Sequence, residues 1–280
     1  MEPWLERMFE MTILEAVRSR RSVRTFDGAA LRPEDAQKLM ECAGKADNPY
    51  EIPIVWKLLD AKEHGLTSPV IVGTDRFLAG KLRHVPHAEE AFGYSFEKVV
   101  LYAESLGLGT TWIAGTMNRS AFEQTMEVAD DEVMPCVSPI GYPAKKMSVR
   151  EVMMRKGVRA DSRSAFGELF FDGSFVRPLS KDAAGALYEA LEAVRLAPSA
   201  VNKQPWRVVV CGEKVHLYEK QSKGYVSDNG WDLQKIDLGI ALCHFELVSR
   251  ECGRDVSMEL LDPGLNVPEN VQYIASFVLK

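Results

Sequence analysis

One eight-residue pattern occurs twice in the chain and constrains its fold more than any other feature. Phe26-Asp27-Gly28-x-x-x-Arg32-Pro33 returns as Phe171-Asp172-Gly173-x-x-x-Arg177-Pro178, with five positions identical. An amphipathic helix is predicted after each copy, and later helix ends and Trp-led strands match in the same order. Five shared positions and a shared order of elements make coincidence a poor explanation. The sequence therefore predicts two tandem copies of one unit in which helices alternate with strands, residues 1–155 and 156–280.

Composition excludes several classes of function. The chain has 280 residues, 46% of them hydrophobic and 26% charged, as in ordinary soluble globular proteins. A net charge of −6 argues against binding to nucleic acid or to an anionic membrane surface. No apolar run approaches the length of a membrane span, and the N-terminus lacks the basic region of a signal peptide. No nucleic-acid or membrane partner is therefore expected.

Cysteine and histidine usage predicts the compartment and argues against a metal site. Five cysteines are scattered without a CxxC pair, which fits reduced thiols in the cytoplasm better than a disulfide framework. His84 and His87 lie three residues apart, but a metal ion needs further ligands nearby. We therefore expect a cytoplasmic protein without a bound metal.

Apolar runs and helix breakers predict individual elements. A helix is predicted from about Pro33 to Ala43, opened by Pro-Glu-Asp, and another over Ser95–Leu106, closed by Gly107. The run Ser68–Gly73 predicts a short buried strand.

A segment of ten residues from Ala197 to Trp206, APSAVNKQPW, lies between an apolar-periodic helix and a run typical of a buried strand, 207–211. Pro198 ends the helix because its ring clashes with the carbonyl four residues back. Ser199 and Asn202 can direct hydroxyl, amide and backbone groups toward a bound molecule. Two interpretations remain open at this point, a ligand-binding loop and an ordinary capped loop.

Four arginines lie near the end of the first helix and in the loop after it: Arg18, Arg20, Arg21 and Arg24. Cations are favourable near the negative end of a helix dipole, which is the simple explanation. Four guanidiniums so close together also repel each other, so an anion between some of them would be stabilising.

Four motifs resemble those of the nitroreductase family, the FMN-dependent oxidoreductases. They are APSAVNKQPW at Ala197–Trp206, RRSVRTF at Arg20–Phe26, GLGTTWIAG at Gly107–Gly115, and Gly141-Tyr142-Pro143 followed by Lys145 and Lys146. The resemblance covers most of the chain, and its tandem single-chain form resembles the TM nitroreductase subgroup. It implies an α+β fold, a nitroreductase-like three-layer α/β/α sandwich with a mixed, mainly antiparallel sheet.

The two copies retain complementary halves of the resemblance. The first copy keeps the cationic segment Arg20–Arg24, where the second has AFGEL at 165–169. The second copy keeps APSAVNKQPW, where the first has ADNPYEIP at 46–53. Nitroreductases are typically dimers in which each subunit contributes one of these segments to an FMN site. The resemblance therefore implies an intrachain pseudo-dimer, a monomer that imitates a dimer and binds one FMN per chain.

The resemblance also implies roles for individual residues. Arg20, Ser22, Lys145 and Lys146 would hold the FMN phosphate, Arg24 and Asn202 the pyrimidine edge of the ring, and the backbone at Ala114 and Gly115 its N5 side. The full cofactor-binding set is Arg20, Arg21, Ser22, Arg24, Trp112, Ile113, Ala114, Gly115, Lys145, Lys146, Pro198, Ser199, Ala200, Asn202 and Gln204. Many relatives carry an acidic residue at the position of Ala114, so this chain departs from them there.

The activity that follows is transfer of hydride from NAD(P)H through flavin N5 to a nitroaromatic, quinone or similar acceptor. Proton delivery can come from water, so no catalytic side chain is expected. Trp231 is the candidate for a stacking wall at the substrate side, with a surface-anchoring aromatic as the alternative. Two other functions remain open: a non-enzymatic FMN-binding protein acting as sensor or flavin reservoir, and a structural or partner-binding protein without flavin.

Overall fold

A computed structural model describes residues 8–226 and 231–280. Within those ranges, no helix is long and apolar enough to cross a membrane. In the same described residues, no three His, Cys, Asp or Glu side chains form a group suited to holding a metal ion.

The first part of the chain carries α1 to α6 and β1 to β4. The helices are α1 (Ile13–Ser19), α2 (Pro33–Lys45), α3 (Ala61–His64), α4 (Ala88–Ser105), α5 (Arg119–Met126) and α6 (Val149–Gly157). The strands are β1 (Val55–Asp60), β2 (Arg76–Arg83), β3 (Glu132–Val133) and β4 (Val137–Ile140). The predicted helix from Pro33 is confirmed as α2, which has Pro33 in its first turn. The helix predicted from Ser95 begins earlier, since α4 starts at Ala88.

The second part carries α7 to α10 and β5 to β9. The helices are α7 (Phe166–Leu169), α8 (Lys181–Ala184), α9 (Tyr188–Leu196) and α10 (Leu233–Glu251), with 3-10 turns at Gly185–Leu187 and Ala200–Asn202. The strands are β5 (Phe170–Asp172), β6 (Trp206–Cys211), β7 (Lys214–Lys220), β8 (Val256–Glu259) and β9 (Val271–Leu279).

The strands form two sheets, one in each part of the chain. In the first sheet β2 pairs antiparallel with β1, β3 and β4. In the second the order is β5-β6-β7-β9-β8, where only the pairing of β5 with β6 is parallel. In both sheets a strand with a Trp near its start, β1 or β6, pairs antiparallel with the next strand, β2 or β7, which also pairs antiparallel with a later strand. The α+β class with mainly antiparallel pairing is confirmed.

The two long helices α4 and α10 pack against each other, with α4 also on the first sheet and α10 on the second. They cross at Gly93 and Gly239. A Cβ on Gly93 would lie 2.1 Å from the carbonyl oxygen of Ile236, and one on Gly239 would lie 2.1 Å from that of Glu90. Glycine is needed at both places because the helix backbones touch.

A single apolar core joins the two parts of the chain. Its buried members run from Ile13 in α1 to Phe277 in β9 and include Phe92, Trp206 and Phe245. A smaller cluster around Phe122 covers the other side of the first sheet. Burial of this extent is the main favourable term in folding, so the two parts stabilise each other.

The predicted strand at Ser68–Gly73 is wrong. Only Val72 makes a bridge there, a parallel one to Thr25, and half of its surface is exposed. The chain bends at Gly73, which has φ +88° and lies against the carbonyl of Phe26. The strand of this region is β2, which the sequence analysis did not predict.

Residues 148–164, called the connector below, link the two parts. They comprise Ser148, which caps α6 by accepting a hydrogen bond from the amide of Glu151, helix α6 itself and the turns after it. The division at 155/156 suggested by the sequence falls within α6.

Candidate functional site

The predicted phosphate-binding arginine, Arg20, is buried at the end of α1. Its Nε lies 3.9 Å from Oε1 of Glu97, and only 5% of its side chain is exposed. Among the described residues, its Nε and Nη1 have no hydrogen-bond partner. A buried donor without an acceptor is costly, about 1–3 kcal/mol, so this guanidinium is suited to a further anionic partner.

Glu97 of α4 organises the groups around Arg20. Its Oε2 accepts a hydrogen bond from Nε1 of Trp112 at 3.1 Å, and its Oε1 lies 2.8 Å from Nε2 of His244 in α10. The other ring nitrogen of His244, Nδ1, lies 2.8 Å from the carbonyl of Ala193. That carbonyl can only accept, so Nδ1 is the donor in this hydrogen bond. The cluster ties predicted site residues Arg20 and Trp112 to both long helices.

Arg21 and Arg24 face a carboxylate of the connector. Nη1 of Arg21 lies 3.3 Å from Oε1 of Glu151, whose side chain is 1% exposed. Burial lowers the pKa of Arg24, and the nearby Glu151 carboxylate opposes that shift. The Oε2 atom of Glu151 has no hydrogen-bond partner among the described residues.

The remaining first-copy residues line the same region. Ser22 forms a parallel bridge with Thr110, the residue that leads into the Trp112–Gly115 segment. Lys145 and Lys146 are exposed in the loop that follows Ala144, whose amide donates to the carbonyl of Thr25. These lysines therefore lie just beyond the arginine segment, at the surface.

The Trp112–Gly115 segment runs from buried to open. Ile113 exchanges backbone hydrogen bonds with Val137 of β4, and the carbonyl of Ala114 accepts from Nη2 of Arg119 at 2.7 Å. A Cβ on Gly115 would meet open space. The backbone at Ala114 and Gly115 is thus close to a free surface, as the N5 side of a flavin would require.

Trp231 lies next to this segment. It is half-buried, and the guanidinium carbon of Arg119 is 5.8 Å from its ring centre. Residues 228–230, which belong to the same predicted aromatic motif, lie outside the described residues.

The APSAVNKQPW segment forms a tight turn against α10. The backbone amide of Ala200 donates to both carboxylate oxygens of Asp237, at 3.0 and 3.1 Å. The hydroxyl of Ser199 accepts from the amide of Gln204 at 2.9 Å. Pro198 is partly exposed just before this turn, directly after buried Ala197. Asn202 and Gln204 have positive φ of 57° and 49°, a conformation that costs non-glycine residues energy and is over-represented at binding sites.

Arg163 of the connector brings the two halves of the predicted site together. Its Nη1 lies 3.5 Å from Oδ1 of Asn202, and its Nη2 donates to the carbonyl of Leu196 at 3.0 Å. Burial, together with the positive charges of Arg20 and Arg195, lowers its pKa to about 10. Arg20 of the first copy and Asn202 of the second therefore flank one guanidinium.

The loop at 46–53, which aligns with APSAVNKQPW, forms hydrogen bonds mainly within itself. Asn48 is buried, and its amide donates to the carbonyl of Ile52 at 2.8 Å and to the hydroxyl of Ser95 at 3.2 Å. Its Oδ1 accepts from the amides of Tyr50 and Ile52. All hydrogen-bonding groups of this side chain are used locally, so it has none left for a ligand.

The charges of the site fit a phosphate-bearing ligand. Within residues 8–226 and 231–280, buried donors on Arg20 and on Nε of Arg163 have no partner, and Arg155 and Arg195 lie close enough to repel Arg163. Arginine donors are well matched to phosphate oxygens. A phosphate there would satisfy the unpartnered donors and relieve the repulsion, so the residues present fit FMN.

Four residues of the site were not foreseen from the sequence: Glu97, Glu151, Arg163 and Asp237. Burial raises the pKa of Asp237 well above its usual range, and Asp232 and Glu219 add to that shift. Glu97 and Asp237 interrupt the apolar sequences of two long helices, and that interruption was the available signal. For Glu151 and Arg163, the connector gave no periodic pattern from which to recognise them.

Comparison with known proteins gives a family and a fold. A family model described as "Putative TM nitroreductase" matches residues 12–249. The crystal structure of a putative nitroreductase from Thermotoga maritima is 19% identical, with 96% of this chain and 93% of that chain covered and a TM-score of 0.62. That of a putative nitroreductase in complex with FMN from Desulfovibrio desulfuricans is 18% identical, with 51% and 95% covered and a TM-score of 0.40. No curated protein matches the sequence.

Proposed function

Since the chain belongs to the family described as putative TM nitroreductases, we propose that it is an FMN-dependent oxidoreductase. The proposed reaction passes hydride from NAD(P)H to a nitroaromatic, a quinone or a similar acceptor. The observation that carries the proposal is the meeting of Arg20, Arg163 and Asn202, where buried guanidinium donors lack a partner. The proposed location is the cytoplasm.

We assign the holding of the cofactor to residues from both copies. Arg20, Ser22, Lys145 and Lys146 bind the phosphate, while Arg24 and Asn202 face the pyrimidine edge. When bound, FMN accepts hydride and hands it on, which is chemistry that the protein does not supply. The backbone at Ala114 and Gly115 leaves the reacting side open, and Trp231 borders the acceptor.

The composite arrangement leads us to propose one FMN per chain in a monomer that imitates a dimer. The first copy supplies the arginine segment and the second supplies APSAVNKQPW. The reciprocal loop, 46–53, lacks the serine and the glutamine of APSAVNKQPW, so no second site is proposed. The chain already packs α4 on α10, the contact for which a single-copy protein would need a second subunit.

A non-enzymatic FMN-binding protein is the alternative function. The observation that favours it is that the amide of Asn202 and the guanidinium of Arg21 are already bonded to the connector. A sensor or reservoir would tolerate such a restricted site better than an enzyme with rapid turnover. Anaerobic bleaching of the bound flavin by NADH or NADPH distinguishes the two functions, since only the oxidoreductase is reduced.

Arg20→Ala should weaken FMN binding more than riboflavin binding, because riboflavin lacks the phosphate. Loss of a charge-assisted hydrogen bond costs about 1.5–3 kcal/mol, roughly ten- to a hundredfold in affinity. Flavin fluorescence titration of the apo-protein gives both dissociation constants. Arg18→Ala is the matched control, since Arg18 is half-exposed and paired with Glu189 at the surface. Equal losses for the two flavins would show that Arg20 supports the fold and not the phosphate.

A further inference from the structure

The connector places a carboxylate among the cations that the proposed function assigns to FMN. Glu151 is the only residue of α6 that is buried, and its Oε1 is paired with Arg21. Its Oε2 is unpartnered in the described part of the chain, beside Arg24. This anion is therefore paired with the arginine that lies between the two proposed phosphate residues Arg20 and Ser22.

The later residues of the connector use the polar groups of the second copy. The amide nitrogen of Asn202 donates to the carbonyls of Arg159, at 2.8 Å, and Ser162, at 3.1 Å. The side-chain oxygen of Gln204 accepts from the amide of Ser164 at 2.9 Å. One segment thus satisfies groups at both ends of the candidate site.

Helix α6 exposes apolar side chains and buries a charged one, the reverse of an ordinary surface helix. Val149 is 78% exposed and Met153 is 68% exposed, whereas Glu151 is 1% exposed. A surface helix normally buries its apolar face and exposes its charges. Little apolar burial is therefore lost when α6 leaves its place, and the contacts that hold it are mainly polar.

We propose that α6, the helical part of the connector, is a displaceable plug of the flavin site, in which the Glu151 carboxylate occupies the place of the ligand's phosphate. The inference rests on the proposed function and adds the residue that sets affinity for phosphate. A phosphate carries more charge than a carboxylate and offers more acceptor oxygens, so it outcompetes Glu151 for Arg21, which lies between the proposed phosphate residues Arg20 and Ser22. Binding then releases α6 from Arg21, while residues 159–164 keep their hydrogen bonds to Asn202 and Gln204 and Arg163 stays beside Arg20.

Glu151→Gln is the direct test. The variant removes the competing charge but keeps the side-chain shape, so FMN should bind about tenfold more tightly, the effect of one charge-assisted hydrogen bond. Riboflavin, which has no phosphate, should bind with unchanged affinity. Asp130→Asn, at an exposed position, is the control for a change in net charge and should alter neither.

Limited trypsin digestion of the unmodified protein is the second measurement and needs no variant. Arg155 and Lys156 lie in α6, and FMN or inorganic phosphate should speed cleavage after them, whereas a ligand that merely binds would protect. Slower cleavage, or weaker FMN binding by Glu151→Gln, would overturn the plug and leave the proposed function standing. The plug and the proposed function both fail if two results are found together. These are that neither the unmodified protein nor Glu151→Gln binds flavin, and that phosphate does not change the rate of digestion.

Discussion

Gly239→Ala is expected to lower the free energy of unfolding by about 3 kcal/mol, the upper part of the range for overpacked cores. The added Cβ would lie 2.1 Å from the carbonyl oxygen of Glu90 and 2.8 Å from the amide nitrogen of Tyr94. Both atoms are helix backbone, so α4 and α10 have to move apart, and the core that both helices share is loosened. Urea unfolding followed by circular dichroism measures the loss.

The matched control is Gly44→Ala in α2. Gly44 also lies in a helix, but a Cβ there would meet nothing within 4 Å. Alanine favours helix over glycine by up to about 1 kcal/mol, so this variant should be neutral or more stable. Similar stabilities for the two variants would contradict a close crossing of α4 and α10.

Glu97→Leu is the second substitution with a large expected effect, a loss of about 3–5 kcal/mol, as when one partner of a buried charged pair is removed. Arg20 and His244 would remain buried without their carboxylate, and Nε1 of Trp112 would lose its acceptor. Glu97→Gln keeps the side-chain shape and one acceptor oxygen. Its free energy of unfolding should lie between those of Glu97→Leu and the unmodified protein. The stability of each variant is obtained from urea unfolding of the apo-protein.

Glu104→Leu, a half-buried position on the same helix, is the control for this series and should change stability by less than about 0.5 kcal/mol. A loss below about 1 kcal/mol for Glu97→Leu would mean that the cluster contributes little, contrary to the cost of uncompensated buried charge.

The resemblance implied the α+β class and the repeat predicted the tandem arrangement, and glycines at matching positions of two helices report backbone requirements directly. Gly93 and Gly239 are equivalent, since each lies 14 residues before a glycine with positive φ, Gly107 or Gly253. Such glycines are needed for close helix crossing and for ending the helices. Local sequence therefore carried the information about these elements.

Strand β2 could not be predicted because charged residues and a glycine interrupt its apolar run. Arg76 and Arg83 stand at its ends, and Gly80 lies in its interior. That glycine is explained only by the three-dimensional structure, since its Cβ would lie 2.4 Å from the ring of Trp56. A strand glycine often marks such an approach, but the sequence does not tell which side chain approaches.

The sequence predicted the two segments of the candidate site but not the connector residues that lie between them. The motifs identified the arginine segment and the APSAVNKQPW turn, and Arg163 lies between Arg20 and Asn202. The pairing of Glu151 with Arg21 depends on how a chain segment 130 residues away folds back. Local patterns contain no information on such a contact, so the role of the connector required the structure.

Native mass spectrometry of the protein reconstituted with excess FMN tests the composite site most directly. We expect one FMN on a single 31.3 kDa chain, because each half of the site comes from a different copy of the same chain. Two FMN molecules per chain, or FMN retained only by a complex of two chains, would contradict the composite site.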